Sequence, residues 1–201
     1  MSRAHWEAAH AAKQDRVSWF QDRPTRALAF IDACGLPPGA AALDAGSGAS
    51  RMAEALLDRG LRPTLCDLAQ EPLDRVKARL GDRAREVAFV QGDLRALDWP
   101  AGAFDLWHDR AVFHFLTEPA DRAAYVARMR AALRPGGFLV MACFAPEGPE
   151  SCSGLPVRRY DAEGLAAELG PGFELLEAGA ETHPTPFGTT QAFTVARFRR
   201  I

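Results

Sequence analysis

The chain has 201 residues, of which 48% are hydrophobic and 25% charged, and its formal net charge is -2. This length suits one globular domain, and the near-neutral charge argues against binding to nucleic acid or to an anionic membrane. No stretch approaches the roughly 20 apolar residues of a membrane span, and the N-terminus lacks a signal-peptide core. The four cysteines show no CxxC spacing. We therefore expect a cytoplasmic monomer or homodimer with free thiols.

Strand and helix signals alternate along most of the chain. Residues 26–36 are predicted to be helical and to end before the Pro-Pro-Gly break that follows. The elements predicted after this break are strand 40–45, helix 50–60, strand 62–67, helix 71–80, strand 87–91, strand 103–108, helix 119–137, strand 138–144 and helix 161–170. Ser50 and Asp161 are the expected N-caps of their helices.

Two segments of alternating hydrophobicity, 173–179 and 191–198, follow, with a loop between them that is long enough for an antiparallel return. The whole pattern predicts an α/β fold with a doubly wound, mostly parallel sheet of seven strands, an antiparallel last strand and helices on both faces. Ligands of such sheets bind outside the carboxyl ends of the strands. Functional residues are therefore expected just after the strands.

A glycine-rich turn follows the first predicted strand, in the order Asp44, Gly46, Gly48 and Ser50. Glycines allow a tight turn and bring backbone N–H groups close to a ligand at a helix N-terminus, although an ordinary strand-to-helix turn also explains them. A dinucleotide fingerprint requires a third glycine where this chain has Arg51. A nicotinamide-dependent enzyme is therefore disfavoured.

Acidic residues end the next two strands. Asp67 is placed to accept hydrogen bonds from the hydroxyls of an adenosine ribose. Asp93 suits an adenine amino group, or is only a solvated loop residue. With Asp44, three acidic residues thus follow three consecutive strands, which favours a nucleoside-containing ligand over coincidence.

LDAGSG at residues 43–48, Asp67, GDL at residues 92–94 and LRPGG at residues 133–137 resemble, in order and spacing, the class I S-adenosylmethionine-dependent methyltransferases. The resemblance covers nearly the whole chain and implies S-adenosyl-L-methionine as the cofactor. Ser50 is a departure, since many members have a third glycine there. The residues that the resemblance places around the cofactor are Asp44, Gly46, Ser47, Gly48, Asp67, Leu68, Asp93, Leu94, Asp109 and Arg110.

The N-terminal residues 5–20 also resemble a subgroup that includes thiopurine-type and several protein lysine methyltransferases. This implies a helical lid, residues 1–38, over a methyltransferase domain, residues 39–201. Trp6 and Trp19 would stack on the substrate or the sulfonium cofactor, because aromatic faces attract cations, or would only pack as a hydrophobic cover.

Methyl transfer is an in-line displacement, so catalysis can come mainly from positioning in a dry site. A base is needed only where the acceptor must lose a proton. His114 and Asp109 are the candidate catalytic residues, although the apolar neighbours of His114 equally suit a core position. The candidate acceptor-binding residues are Trp6, Phe115, Phe144, Cys152, Arg158, Tyr160, His183 and Gln191.

Some of these candidates also have simpler explanations. Arg158 and Tyr160 would bind an anionic acceptor or only solvate a loop, and His183 would border the pocket or only belong to a proline-stiffened turn. His108 and His114 lack a third ligand at metal-binding spacing, so no metal is expected.

The expected function is methyl transfer to a sulfur, nitrogen or oxygen atom of a small-molecule acceptor, because the chain has no added substrate domain. A protein lysine methyltransferase is the alternative, and an acidic channel to the methyl group would favour it. The other alternative is a non-catalytic S-adenosylmethionine-binding protein.

Overall fold

The computed structural model describes residues 2–13, 18, 21 and 24–201. The helices are α1 (Arg3–Lys13), α2 (Thr25–Asp32), α3 (Met52–Leu57), α4 (Gln70–Leu80), α5 (Pro119–Ala132) and α6 (Ala162–Leu169), with 3-10 turns at Gly81–Glu86 and Phe113–Phe115. The strands are β1 (Ala41–Ala45), β2 (Arg62–Asp67), β3 (Ala88–Gln91), β4 (Phe104–Arg110), β5 (Leu133–Phe144), β6 (Ser151–Cys152), β7 (Leu155–Pro156), β8 (Phe173–Pro184) and β9 (Thr190–Arg200).

The described strands form a seven-stranded sheet in the order β3-β2-β1-β4-β5-β9-β8, and β6 and β7 form a separate small hairpin. The pairs from β3 to β5 are parallel, whereas β9 runs antiparallel to both β5 and β8. The predicted fold class is therefore confirmed. The chain moves outward from β1 to β3 and then returns to the other side of β1, so the strand order reverses between β1 and β4, where such sheets bind ligands.

Apolar side chains alternate between two helical layers along the central strands. Leu106 and Val140 pack in a cluster with α2 and α3, whereas Trp107 and Leu139 pack in a cluster with α5 and α6. Successive side chains of a strand point to opposite faces of the sheet. The same alternation sends the polar residues that follow Trp107 to different faces.

The longest predicted helix is shorter than expected. Residues 119–137 were predicted to be helical, but α5 ends at Ala132, and Leu133 is already extended and pairs with Phe104 of β4. The Pro-Gly-Gly sequence therefore lies at the start of β5. The cause is a tertiary contact: the backbone of Leu133 gains Phe104 of β4 as a partner in the sheet, which a further helical turn would not supply.

Two expected helix caps have different outcomes. Asp161 is the N-cap of α6, and its side chain accepts a hydrogen bond of 2.7 Å from the Gly164 N–H, as predicted. For α3 the N-cap position is Arg51, so the prediction of Ser50 was wrong by one residue. The Ser50 hydroxyl still accepts a hydrogen bond of 3.3 Å from the Met52 N–H.

The two terminal strands are longer than predicted. β8 extends to Pro184 and β9 begins at Thr190, so about half of the predicted loop belongs to the sheet. His183 pairs in register with Gln191, and Pro184 pairs with Thr190 at the strand end. Because β8 is an edge strand, a proline at its end interrupts no central ladder.

At Gly137 the backbone of β5 lies close to Arg134 of the same strand and to Asp105 of β4. A Cβ atom there would lie 2.9 Å from the Arg134 carbonyl oxygen and 3.1 Å from that of Asp105. Gly137→Ala is expected to destabilise the protein by about 1 to 3 kcal/mol, since backbone atoms cannot move aside cheaply. Urea unfolding measures the effect, and an unchanged midpoint would contradict this account of Gly137.

Candidate active site

A cavity opens at the carboxyl ends of the parallel strands, beside the reversal of strand order. The loops after β1 to β4 line it together with residues from α1 and β6. The residues singled out from the sequence that line it are Asp44, Gly46, Ser47, Gly48, Asp67, Leu68, Asp93, Leu94, Arg110, Trp6, Phe115 and Cys152. Residues from distant parts of the sequence thus converge on one cavity.

The turn after β1 brings backbone close to this cavity. Gly46 has a φ of +60°, and a Cβ atom there would overlap the side chain of Val112. The Gly48 N–H donates a hydrogen bond of 2.9 Å to Asp67 Oδ2. The turn is therefore held to the end of β2, and its residues Gly46, Ser47 and Gly48 line the cavity.

Asp67 is a buried carboxylate at the cavity wall. Its Oδ1 accepts a hydrogen bond of 2.9 Å from the Ala69 N–H, as Oδ2 does from Gly48. Burial raises the pKa of Asp67, while these two N–H donors lower it. A carboxylate offers about four lone-pair sites, so both oxygens can each accept a further hydrogen bond, as the hydroxyls of a ribose require.

Asp93 lies at the cavity in an ion pair with Arg95. The Arg95 Nη2 atom is 2.5 Å from Asp93 Oδ2, and Arg95 Nη1 is 2.7 Å from Asp121. The hydrogen bond from Arg95 holds the pKa of Asp93 below its ordinary value. Arg95 itself lines the cavity, so this acidic residue reaches the ligand site together with a cation that was not predicted.

His108 is a site residue that the sequence analysis did not include. Its Nδ1 atom lies 2.7 Å from Asp44 Oδ1, and the imidazole is buried and lines the cavity. Nε2 has no hydrogen-bond partner among the described residues. Strand alternation could have indicated His108, because it lies two residues before Arg110, which the family resemblance places near the cofactor.

Asp109, predicted to contact the cofactor and to act in catalysis, lies outside the cavity-lining set. It follows Trp107 on the face of β4 that packs against α5, where its carboxylate accepts hydrogen bonds from the Tyr125 hydroxyl (2.5 Å) and the Val112 N–H (3.0 Å). Burial raises its pKa to about 6, against these hydrogen bonds, which lower it. Asp109 therefore holds the loop after β4 in place from the face of the sheet that packs against α5.

His114 lies in the core, which answers the question that its apolar neighbours raised. It is fully buried between Phe115 and Phe144, with ring centroids 4.5 and 4.6 Å away, and Nδ1 accepts a hydrogen bond of 3.2 Å from the Phe144 N–H. Burial, reinforced by the charge of Arg110, lowers its pKa to about 3. Neither His114 nor Phe144 is among the residues that line the cavity.

The remaining predicted acceptor residues lie elsewhere. Arg158 pairs with Glu168 at 3.1 Å and donates to the Tyr160 hydroxyl at 3.1 Å, in a shallow surface depression. His183 and Gln191 are buried side by side on β8 and β9, and His183 Nε2 lies 2.9 Å from the Ser18 carbonyl oxygen. Among the described residues, none of these four lines the main cavity.

Arg110 marks the end of the cavity away from Asp67. Its guanidinium carbon lies 4.5 Å from the ring centroid of Phe193, and its Nη2 atom is 3.9 Å from Glu181 Oε1. Burial lowers the pKa of Arg110 to about 10, whereas Glu181 raises it. Cys152, in the β6–β7 hairpin, also lines the cavity and is itself buried.

Helix α1 contributes two cavity residues. Trp6 meets Phe115 edge to face at 5.0 Å between ring centroids. His10 is buried, and a Cβ atom on Gly48 would lie 3.6 Å from its Cε1. His10 was not predicted, since no strand-end pattern marks it. Trp19, predicted to contact the cofactor, lies outside the described residues.

Comparisons with known proteins agree with this geometry. Residues 42–137 match a family model described as a methyltransferase domain. The 1,6-didemethyltoxoflavin-N1-methyltransferase of Burkholderia thailandensis, solved with 1,6-didemethyltoxoflavin and S-adenosylhomocysteine, is 26% identical with a TM-score of 0.78, over 98% of this chain and 86% of that one. In its matched residues, its strand order and its glycine turn, the chain is similar to the class I S-adenosylmethionine-dependent methyltransferases. S-adenosylmethionine is therefore the cofactor for which the cavity must be assessed.

Two further methyltransferases are similar. A ubiquinone/menaquinone biosynthesis C-methyltransferase of Paracoccus denitrificans is 34% identical over 107 residues, which cover 51% of this chain and 42% of that protein. The N-methyltransferase NodS of Bradyrhizobium japonicum, in complex with S-adenosylhomocysteine, shares the fold with a TM-score of 0.74 at 19% identity, over 100% of this chain and 99% of that one. The chain spans about two fifths of the length of the curated relatives that it matches.

The described residues fit this cofactor. Gly46, Ser47 and Gly48 line the cavity, Asp67 has lone pairs for the ribose, and His108, which also lines the cavity, has a buried Nε2 without a described partner. Within the described ranges, no cluster of three or more His, Cys, Asp or Glu side chains is placed to hold a metal ion. Nor is any helix in the described part long and apolar enough to cross a membrane.

Gly46→Ala is expected to weaken the binding of S-adenosylhomocysteine by at least about tenfold, because the new methyl group strains a positive φ and displaces Val112 at the cavity. Isothermal titration calorimetry measures the dissociation constant. Gly35→Ala is the matched control, since Gly35 has a similar φ of +59° and no atom near its Cβ position. Equal dissociation constants for both variants would contradict the assignment of Gly46 to the cofactor turn.

Asp109 should make stability depend on pH. Its folded-state pKa of about 6 lies above the ordinary 3.8, so the folded protein binds this proton more tightly than the unfolded chain. Lowering the pH from 7 to 4 should therefore stabilise the wild type relative to Asp109→Asn by up to about 3 kcal/mol. Urea unfolding at several pH values tests this, and parallel pH profiles for the two proteins would refute it.

Proposed function

We propose that this protein transfers the methyl group of S-adenosylmethionine to a nucleophilic sulfur, nitrogen or oxygen atom of a small-molecule acceptor. The observation that carries the proposal is that one cavity joins the carboxylates at the ends of β1 and β2 to a partly aromatic end formed by Trp6, Phe115 and Arg110. The first part suits a nucleoside and the second a small acceptor.

The cofactor assignments follow the order of the strands. In the proposal, Asp93 and Leu94 frame the adenine and Asp67 binds the ribose. The turn formed by Gly46, Ser47 and Gly48 holds the methionine portion, near Asp44, and Leu68 borders the adenosine beside Asp67. The bound cofactor supplies an electrophilic methyl group on a sulfonium centre.

The residues of the chain then contribute mainly orientation and exclusion of water. Trp6 and Phe115 line the cavity, and an aromatic face favours a cationic sulfonium. We further propose that residues 1–38 cover the site as a lid on the domain of residues 39–201, since α1 already places Trp6 in the cavity wall. The proposal gives Asp109 and His114 no direct contact with the reacting atoms, because both lie away from that wall.

A small acceptor is favoured over a protein lysine for an electrostatic reason. The guanidinium of Arg110 stands at the acceptor end, and a cation there opposes the entry of a lysine ammonium group. Glu181 lies 3.9 Å from this guanidinium and is the nearby charge that offsets it. The N-methyltransferase from Burkholderia thailandensis, with its small bound acceptor, supports the same choice.

Release of S-adenosylhomocysteine over a panel of thiols, amines, carboxylates and metalloid oxyanions tests the proposal. We expect turnover with at least one small nucleophile, and at least about a tenfold loss of turnover at limiting cofactor for Gly46→Ala, in line with its expected weaker binding. The Gly35→Ala variant should retain wild-type turnover. Cofactor binding without any turnover, or methylation of protein lysines alone, would contradict the proposed function.

A further inference from the structure

Asp44 and His108 form a buried pair across two neighbouring strands. They are register partners in the parallel ladder between β1 and β4, with side chains on the same face of the sheet. His108 Nδ1 lies 2.7 Å from Asp44 Oδ1, and the other carboxylate oxygen accepts a longer hydrogen bond of 3.4 Å from the Ser50 hydroxyl. Because a carboxylate oxygen accepts, the hydrogen of the imidazole is on Nδ1.

In a neutral imidazole, this arrangement leaves a lone pair on Nε2. His108 is 3% exposed and lines the cavity, and Nε2 has no hydrogen-bond partner in the described part of the chain. A buried acceptor without a partner is costly. A ligand donor that reaches Nε2 from the cavity would satisfy this acceptor.

The strand order indicates which part of the cofactor meets this acceptor. Asp93 follows β3, Asp67 ends β2, Asp44 is on β1 and His108 is on β4, and these strands are consecutive neighbours in the sheet. With the adenosine at Asp93 and Asp67, the amino-acid end of the cofactor lies over Asp44 and His108. The carboxylate of Asp44 makes this pair a negative element, and a positively charged donor complements it.

We propose that His108 Nε2 accepts a hydrogen bond from the α-ammonium group of the bound cofactor, and that Asp44 acts on that group through the imidazole. This inference rests on the proposed function, since it requires S-adenosylmethionine in the cavity. It changes the role implied by the family resemblance, in which Asp44 lies directly beside the amino group. His108 is then a cofactor-binding residue and Asp44 a positioning residue.

The test compares two ligands by calorimetry: S-adenosylhomocysteine and its analogue in which hydrogen replaces the α-amino group. For the wild type, removal of the amino group should weaken binding on the order of ten- to a hundredfold, as expected for a hydrogen bond to a charged group. His108→Asn keeps an amide near the Nδ1 position but lacks an acceptor at Nε2. Its ratio of the two dissociation constants should approach one.

Asp44→Asn is the second variant, and it covers the case in which His108→Asn fails to fold. The asparagine oxygen still accepts from Nδ1 while the negative charge is lost, so the ratio should fall below that of the wild type without reaching one. His114→Asn is the control, because it replaces a buried histidine that lies outside the cavity-lining set. Its ratio should equal that of the wild type.

The outcomes separate the two proposals. If the wild type binds neither S-adenosylmethionine nor S-adenosylhomocysteine, the proposed function fails. If the wild type binds both but the ratio is the same in His108→Asn and Asp44→Asn as in the wild type, the role of His108 is refuted while the proposed function stands. If His108→Asn loses the same factor of affinity for both ligands, His108 only supports the fold, and this result also overturns the inference.

Discussion

The hydrogen bond from the Gly48 N–H to Asp67 connects the turn after β1 to the end of β2, and much of the site depends on it. This hydrogen bond fixes the position of the glycine turn relative to the sheet and holds Oδ2 of the buried Asp67 carboxylate in place. The second donor, the Ala69 N–H, fixes the other oxygen. Two backbone groups thereby orient Asp67 without using all of its lone pairs, so the carboxylate is both rigid and available to a ligand.

Much of the fold and the cofactor end of the cavity could be predicted from the sequence, because both follow from local signals. Strand ends and glycines mark the positions of Gly46, Asp67 and Asp93, and the fold brings all strand ends to one edge. What failed was the direction of side chains within β4. Asp109 and His108 are adjacent in sequence, but the pleat sends one towards Tyr125 and the other towards Asp44.

The other differences also arise from tertiary contacts that a sequence pattern does not contain. His114 is an imidazole in an aromatic environment, and only the packing of Phe144 decides that it faces the core. Strands β8 and β9 continue beyond their apolar alternation, because pairing with each other satisfies their backbone groups. His10 reaches Gly48 from a helix that is distant in sequence, and no local pattern marks such a contact.

The two ends of the cavity belong to different parts of the chain. In the proposed function, the cofactor end is built from the loops of residues 44–95 together with His108, whereas Arg110 packs against Phe193 and Glu181 of the terminal hairpin. Substitutions in β8, β9 or the β6–β7 hairpin can therefore reshape the acceptor end and leave the glycine turn untouched. Because separate segments form the two ends of the cavity, acceptor preference can diverge between related enzymes while the methyl donor stays the same.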